Sequence, residues 1–227
     1  MSDQPAFFRP RHVVVLAHPS SRSFNGLVAN AYCEAVRQCG QEPIVRDLYA
    51  IGFDPLLKDS ERPHEGGTSV MPDVKFEHAA IRGSDVFVLV YPIWFGMPPA
   101  MMKGYVDRVL GSGVTAKDMQ GGVGTALLKD KRLVSITSSG ASKAWLNQQG
   151  QIEALRNVFE RYLAHGLGMK SVENLHFGET VEGLSEDYLD PLLAQVQDLA
   201  RKVCADVDAD VAAERGLSLK QRQQSDA

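Results

Sequence analysis

The sequence predicts an α/β protein with a doubly wound, five-stranded parallel sheet in the order 2-1-3-4-5. Three observations carry this. Two runs, HVVVLA (12–17) and DVFVLVYP (85–92), are apolar without polar alternation, as in strands buried on both faces. Short apolar runs of this kind alternate with segments of 3.6-residue periodicity, the mark of repeated β-α units. The runs number five, which favours this order over six-stranded winding.

Strand 1 covers 12–17. A helix over 24–38 follows, with Leu27, Ala31, Ala35 and Val36 at helical spacing and Gly40 as its C-cap. EPIVRDL (42–48) is a weaker strand 2. A Gly/Pro-rich connection, 49–72, leads to a short helix over 73–81 and then to strand 3. A helix over 100–110 comes next, then a second long connection, 111–131, and strand 4, RLVSIT (132–137). Loops of that length in a compact domain are usually functional or mobile. The helix over 151–167 carries Ile152, Leu155, Val158, Phe159 and Leu163 on one stripe. Strand 5 is SVENLHF (171–177), and a last helix, 184–204, has Ser185 placed as N-cap. Residues 1–204 are expected to form one domain. The polar stretch 205–227 is expected to be a mobile tail.

Composition narrows the function. The 227 residues are long enough for one sizeable core, and 44% hydrophobic with 23% charged is ordinary for a soluble protein. A formal net charge of -4 offers no basic field for nucleic acid. Cys33, Cys39 and Cys204 are odd in number and lack metal or CxxC spacing, so a reduced cytoplasmic compartment is expected. No stretch suggests a secretory signal or a membrane span, and the scattered His12, His64, His165 and His176 suggest structural roles, with no metal site.

In an open parallel sheet, ligands bind beyond the carboxyl ends of the strands, where strand order reverses. Three loops should converge there. AHPSSRSFN (17–25) sets Ser20, Ser21, Arg22 and Ser23 ahead of a helix N-terminus, the elements of a phosphate site without GxGxxG or a Walker loop. Alone, it reads equally as a capped helix start. YPIWFGMPPA (91–100) is a rigid aromatic corner whose backbone can pass along a flat ring, or whose Trp94 and Phe95 can pack on core or partner. TSSGASKAW (137–145) is a small hydroxyl-rich turn able to lay N–H groups against a heterocycle edge. A bound flavin accounts for all three at once.

AHPSSRSFN with YPIWFGMPPAMMKGYVDRVL resembles the NAD(P)H:quinone oxidoreductase (DT-diaphorase-like) family of flavodoxin-like flavoproteins, with its AHPxxxSFN loop and PAxLKGxxDRV helix. DLYAIGFDP resembles the family's DLYxxxFNP, and ITSSG stands where it has ITTGG. The likeness runs from about residue 12 to 204. It implies a flavodoxin-like fold and a two-electron, ping-pong reduction of a quinone or similar small acceptor by NAD(P)H. By the resemblance, His18, Arg22, Ser23, Phe24 and Asn25 would hold the phosphate and ribose part of a flavin. Pro92, Ile93, Trp94, Phe95 and Gly96 would line the ring, and Thr137, Ser138, Ser139 and Gly140 would border its pyrimidine side. His78 falls where members often have a flavin-contacting glutamine. The first loop resembles the FAD-binding branch, with FMN as the alternative, and members are typically homodimers. Trp145 and Gln151 stand where members carry a Tyr and a His that assist proton transfer, and neither is a proton donor of useful pKa. A second implied role is that of a flavin-binding ancillary protein with low turnover of its own.

Overall fold

The computed structural model describes residues 9–62, 69–122, 127–181 and 183–225. Five parallel strands form one sheet in the order β2-β1-β3-β4-β5: β1 Arg11–Leu16, β2 Glu42–Asp47, β3 Val86–Pro92, β4 Arg132–Ser138 and β5 Ser171–Phe177. Register pairs Val13 with Ile44, Val14 with Val88, Val90 with Ile136 and Thr137 with His176. All seven residues of β3, the central strand, are buried, as its unbroken apolar run requires.

Alternation along each strand divides the core in two. On one face Val13, Val15, Phe87, Leu89 and Tyr91 pack with Met102, Tyr105, Val109 and Phe159. On the other, Val14, Val88, Val90, Val134 and Ile136 meet Val28, Tyr32 and Val36 of α1 (Phe24–Gln38) and Val196, Ala200 and Val203 of α8 (Glu186–Ser225). Each such buried aliphatic contributes about 1.5–3 kcal/mol.

The 42–48, 73–81, 100–110 and 151–167 expectations hold to within a residue or two. α2 is Pro72–Ile81, with proline in its first turn, where no N–H is needed. α3 (Ala100–Tyr105) widens into a π-helical segment, Val106–Leu110. α4 is Ala116–Gly121, and it lies inside a stretch expected to be loop; its Thr115/Asp118 capping box was a readable signal. α5 (Lys143–Gln148), opened by Ser142, was likewise not foreseen. α6 (Gln151–Leu155) passes through a second π segment, Arg156–Arg161, into α7 (Tyr162–Gly166).

The 49–72 connection is pinned over residues 53–62. Buried Arg108 reaches both Glu61 oxygens (2.9 and 3.1 Å), Asp73 (2.8 and 3.1 Å) and the Asp54 carbonyl, and lies over the Phe53 ring. The polar tail placed at 205 is instead a continuation of α8. Val203, Val207 and Val211 keep helical spacing onto the core, Asp208 accepts from Gln41 (2.9 Å), and Asp210 pairs with Arg132 and Lys170 (both 2.7 Å). Polarity there marks the solvent side of an amphipathic helix, so composition alone misplaced the boundary.

Candidate functional site

A cleft of about 430 Å³ opens at the carboxyl edge of β1, β3 and β4, within the size range of small-molecule sites. It is lined by His18, Ser20, Arg22, Ser23, Phe24 and Asn25 of the first loop and α1, Pro92, Ile93 and Trp94 of the corner, and Ser138, Ser139 and Gly140 after β4. These three loops meet because β1 lies between β2 and β3, so the chain winds away from the β1/β3 junction in both directions.

The first loop folds tightly onto α1. A Cβ at Gly26 would stand 2.9 Å from the Ser21 carbonyl oxygen, so the approach requires glycine. Ser23 caps the helix, its hydroxyl accepting from the Gly26 N–H at 3.1 Å. Among the described residues, no chain group accepts from the N–H groups of Phe24 and Asn25, and Arg22 has no acidic partner. Arg22 thus stands beside open N–H groups at the positive end of a 15-residue helix, where negative charge is favoured. Ser138 Oγ donates to buried Asn25 Oδ1 (2.9 Å), tying the first loop to the third.

The corner is a two-residue hairpin turn. Trp94 and Met97 exchange N–H···O bonds of 3.1 Å each, and Phe95 (φ 50) and Gly96 (φ 80) both sit in the left-handed region, as in a type I′ turn. Trp94 turns back to the cleft, its ring edge-on to His18 at 5.7 Å between centroids.

The third loop is stitched to the end of β5. Ser139 N–H donates to the Phe177 carbonyl (2.9 Å), the Thr180 N–H to the Ser139 carbonyl (3.0 Å), and the Glu179 N–H to the Ala141 carbonyl (3.1 Å). Gly140 lies exposed on the cleft with its N–H unpaired among the described residues, and a Cβ there would meet nothing within 4 Å. Behind the loop, His176 bridges Thr137 Oγ1 (2.8 Å) and Ser139 Oγ (3.1 Å). Burial, with Lys143 and Arg156 nearby, lowers its pKa to about 4, so the imidazole is neutral near pH 7.

Several expected site residues stand elsewhere. His78 is held away by a 2.8 Å bond from its Nε2 to the Val109 carbonyl. Thr137 turns inward to His176. Phe95 points out from the tip of the turn, fully exposed. The Cβ direction of Gly96 leads to Gln151 Nε2, 2.0 Å away, and not into the cleft. Trp145, half-exposed on α5, and Gln151 are both outside the lining. In the other direction, Leu27, Thr180, Val181, Gly183, Leu184 and Leu189 complete the wall. The loop after β5 could have been anticipated, because β5 neighbours β4 and ends at the same edge.

Sheet order and a cleft at the carboxyl edge of the strands define a doubly wound α/β protein. The chain belongs to the flavodoxin-like fold family, whose model matches residues 10–200. It is 32% identical to an uncharacterised NAD(P)H oxidoreductase of Haemophilus influenzae over 169 residues, 74% of this chain and 83% of the relative. It is 31% identical to NAD(P)H dehydrogenase [quinone] 1 of Rattus norvegicus over 153 residues, 60% of this chain and 56% of the rat protein. Among solved structures, an NAD(P)H:quinone oxidoreductase from Methanothermobacter marburgensis superposes with a TM-score of 0.75 at 28% identity, covering 86% of this chain and 97% of that one.

Proposed function

We propose that the chain is a flavin-dependent NAD(P)H oxidoreductase that reduces a quinone or similar small acceptor. The single observation carrying this is the cleft itself: an unpaired arginine and open helix N-terminus at one part of its lining, and a flat Pro92–Ile93–Trp94 wall with the open Gly140 turn at another. The residues fit a flavin. Its phosphate would take Arg22, the serine hydroxyls and the first N–H groups of α1, and its ring would lie along the corner. Bound there, a flavin supplies two-electron chemistry between NAD(P)H and an acceptor. The protein's part is to orient the ring, exclude water with Trp94 and Ile93, and offer N–H dipoles where negative charge develops. With Trp145 and Gln151 outside the cleft, a proton for the product would come from solvent. The relatives are oxidoreductases, which favours the enzyme over the ancillary role.

FAD is preferred to FMN because the lining continues past the anion site to Leu27, Val181, Leu184 and Leu189, an apolar wall suited to an adenine. A homodimer is supported by exposed Trp94, Phe95 and Met97 at the cleft mouth, and a reducing cytoplasm by three free thiols. The test is a visible spectrum of protein purified from cells, mass spectrometry of the chromophore released on heating, and NAD(P)H consumption with a quinone. Release of FAD and quinone-dependent turnover are expected. A colourless chain that refuses both FAD and FMN overturns the proposal.

A further inference from the structure

Beyond the cleft, the most unusual polar group near it is His176. It is buried at the end of β5 and spends both ring nitrogens on hydroxyls, Thr137 of β4 and Ser139 just beyond it. Only one tautomer satisfies all three contacts at once. Ser139 Oγ–H donates to the Ala141 carbonyl at 2.9 Å, so the Ser139 oxygen is left to accept from Nε2–H. Nδ1 is then unprotonated and accepts from Thr137 Oγ1–H. The result is a one-way chain, Thr137 to His176 to Ser139 to the Ala141 carbonyl, which ends in the turn bearing the open Gly140 N–H.

Backbone bonds from Ser139, Glu179 and Thr180 fasten the turn to the end of β5, and the side-chain chain adds a second restraint through Ser139 Oγ to the Ala141 carbonyl inside the turn. An aliphatic side chain would fill the same space without desolvating two nitrogens. Buried polar groups that break the apolar pattern at a site's edge point to function.

We infer that His176 is a positioning residue. Acting through Ser139, it holds the 139–141 turn so that the Gly140 N–H favours a ligand ring carrying negative charge over the same ring uncharged. The inference rests on the flavin reading above and deepens it. Preorganised N–H dipoles stabilise charge only when they need not reorient as it forms, and a turn locked from behind meets that condition. The neutral imidazole adds no charge of its own; Lys143 and Arg156 are the charged groups facing it, and they supply a positive background that a His176 variant leaves in place.

The test is the midpoint potential of FAD bound to the full chain, with dissociation constants for oxidised and reduced FAD. In His176→Ala, affinity for the reduced form should fall about tenfold more than for the oxidised form, a midpoint lower by about 30 mV in a two-electron couple. Ser139→Ala should shift it the same way, the double variant no further than either single, and His176→Asn, which keeps a donor and an acceptor, should recover part of the shift. Should His176→Ala fail to fold, Ser139→Ala and His176→Asn decide. An unmoved midpoint, equal losses for both forms, or additive effects in the double variant overturn the inference. If the wild type takes up no FAD, the reading of the site falls; if it binds FAD and the variants leave the midpoint in place, only the role of His176 falls.

Discussion

At the residue scale, Arg22 and Phe95 show two ways in which a side chain can sit against its own interest. Arg22 is exposed and has no acidic partner among the described residues, in a chain with an excess of acids. Its alanine variant should weaken flavin retention by about tenfold, the worth of one charge-assisted hydrogen bond of ~1.5 kcal/mol. Far-ultraviolet circular dichroism should stay unchanged. Retention equal to wild type would make the first loop a capped helix start and nothing more. Phe95 occupies φ 50 with its ring in solvent. Phe95→Asn turns the corner into Asn-Gly, the pair a type I′ turn prefers, and should stabilise the isolated chain by about 1 kcal/mol. Urea denaturation at low protein concentration reads this directly. A loss in place of the gain would mean that the ring is buried against a second chain.

At the element scale, the strands and long helices were legible because burial on both faces leaves an unmistakable apolar run, and β1, β3 and α1 fell where their residues placed them. The short elements were not. α4 and α5 are six residues each, too short for periodicity to show, and only their Thr115 and Ser142 caps betray them. The cleft was half legible. Loops at the strand ends were readable from topology, but which side chain on each loop turns inward depends on tertiary partners. Thr137 faces His176 and Gly96 faces Gln151 for reasons no local pattern contains. Arg108 is the clearest tertiary effect: no local pattern in the DRVL stretch says that it is buried, yet it is, and it ties the 53–62 segment to α2 and the helix after α3. Arg108→Leu strands the buried Glu61 carboxylate and should cost about 3–5 kcal/mol. Limited proteolysis should then cut first within 53–62. A variant of wild-type stability with that segment still resistant would show that the cluster fastens nothing.

At the scale of the whole molecule, the two ends of the sheet carry matched liabilities. His12, fully buried at the start of β1, is bonded to Tyr32 (3.0 Å) and Gln41 (2.8 Å), and burial lowers its pKa from 6.5 to about 4. His176, at the opposite edge, is lowered to about 4 for the same first reason. In the unfolded chain both titrate near 6.5, so between that pH and about 4 the unfolded state binds more protons than the folded one, and stability falls as pH falls. Each histidine should remove about 2 kcal/mol between pH 7.5 and pH 5. The paired carboxylates do not confuse this window. Asp54, Asp73 and Asp210 are held below the usual carboxylate range by Lys58, Arg108 and Lys170, so they remain charged in the folded chain until still lower pH. Buried Glu160, whose carboxyl is raised by burial, acts in the opposite direction. Chemical denaturation of the flavin-free chain across pH 5–7.5 should therefore show stability falling with pH at a slope below two protons, and His12→Gln should make that slope shallower by about one proton. A flat profile down to pH 5 would mean that both sites admit water and a proton without unfolding, and the sealed ends of the sheet would have to be redrawn as open ones.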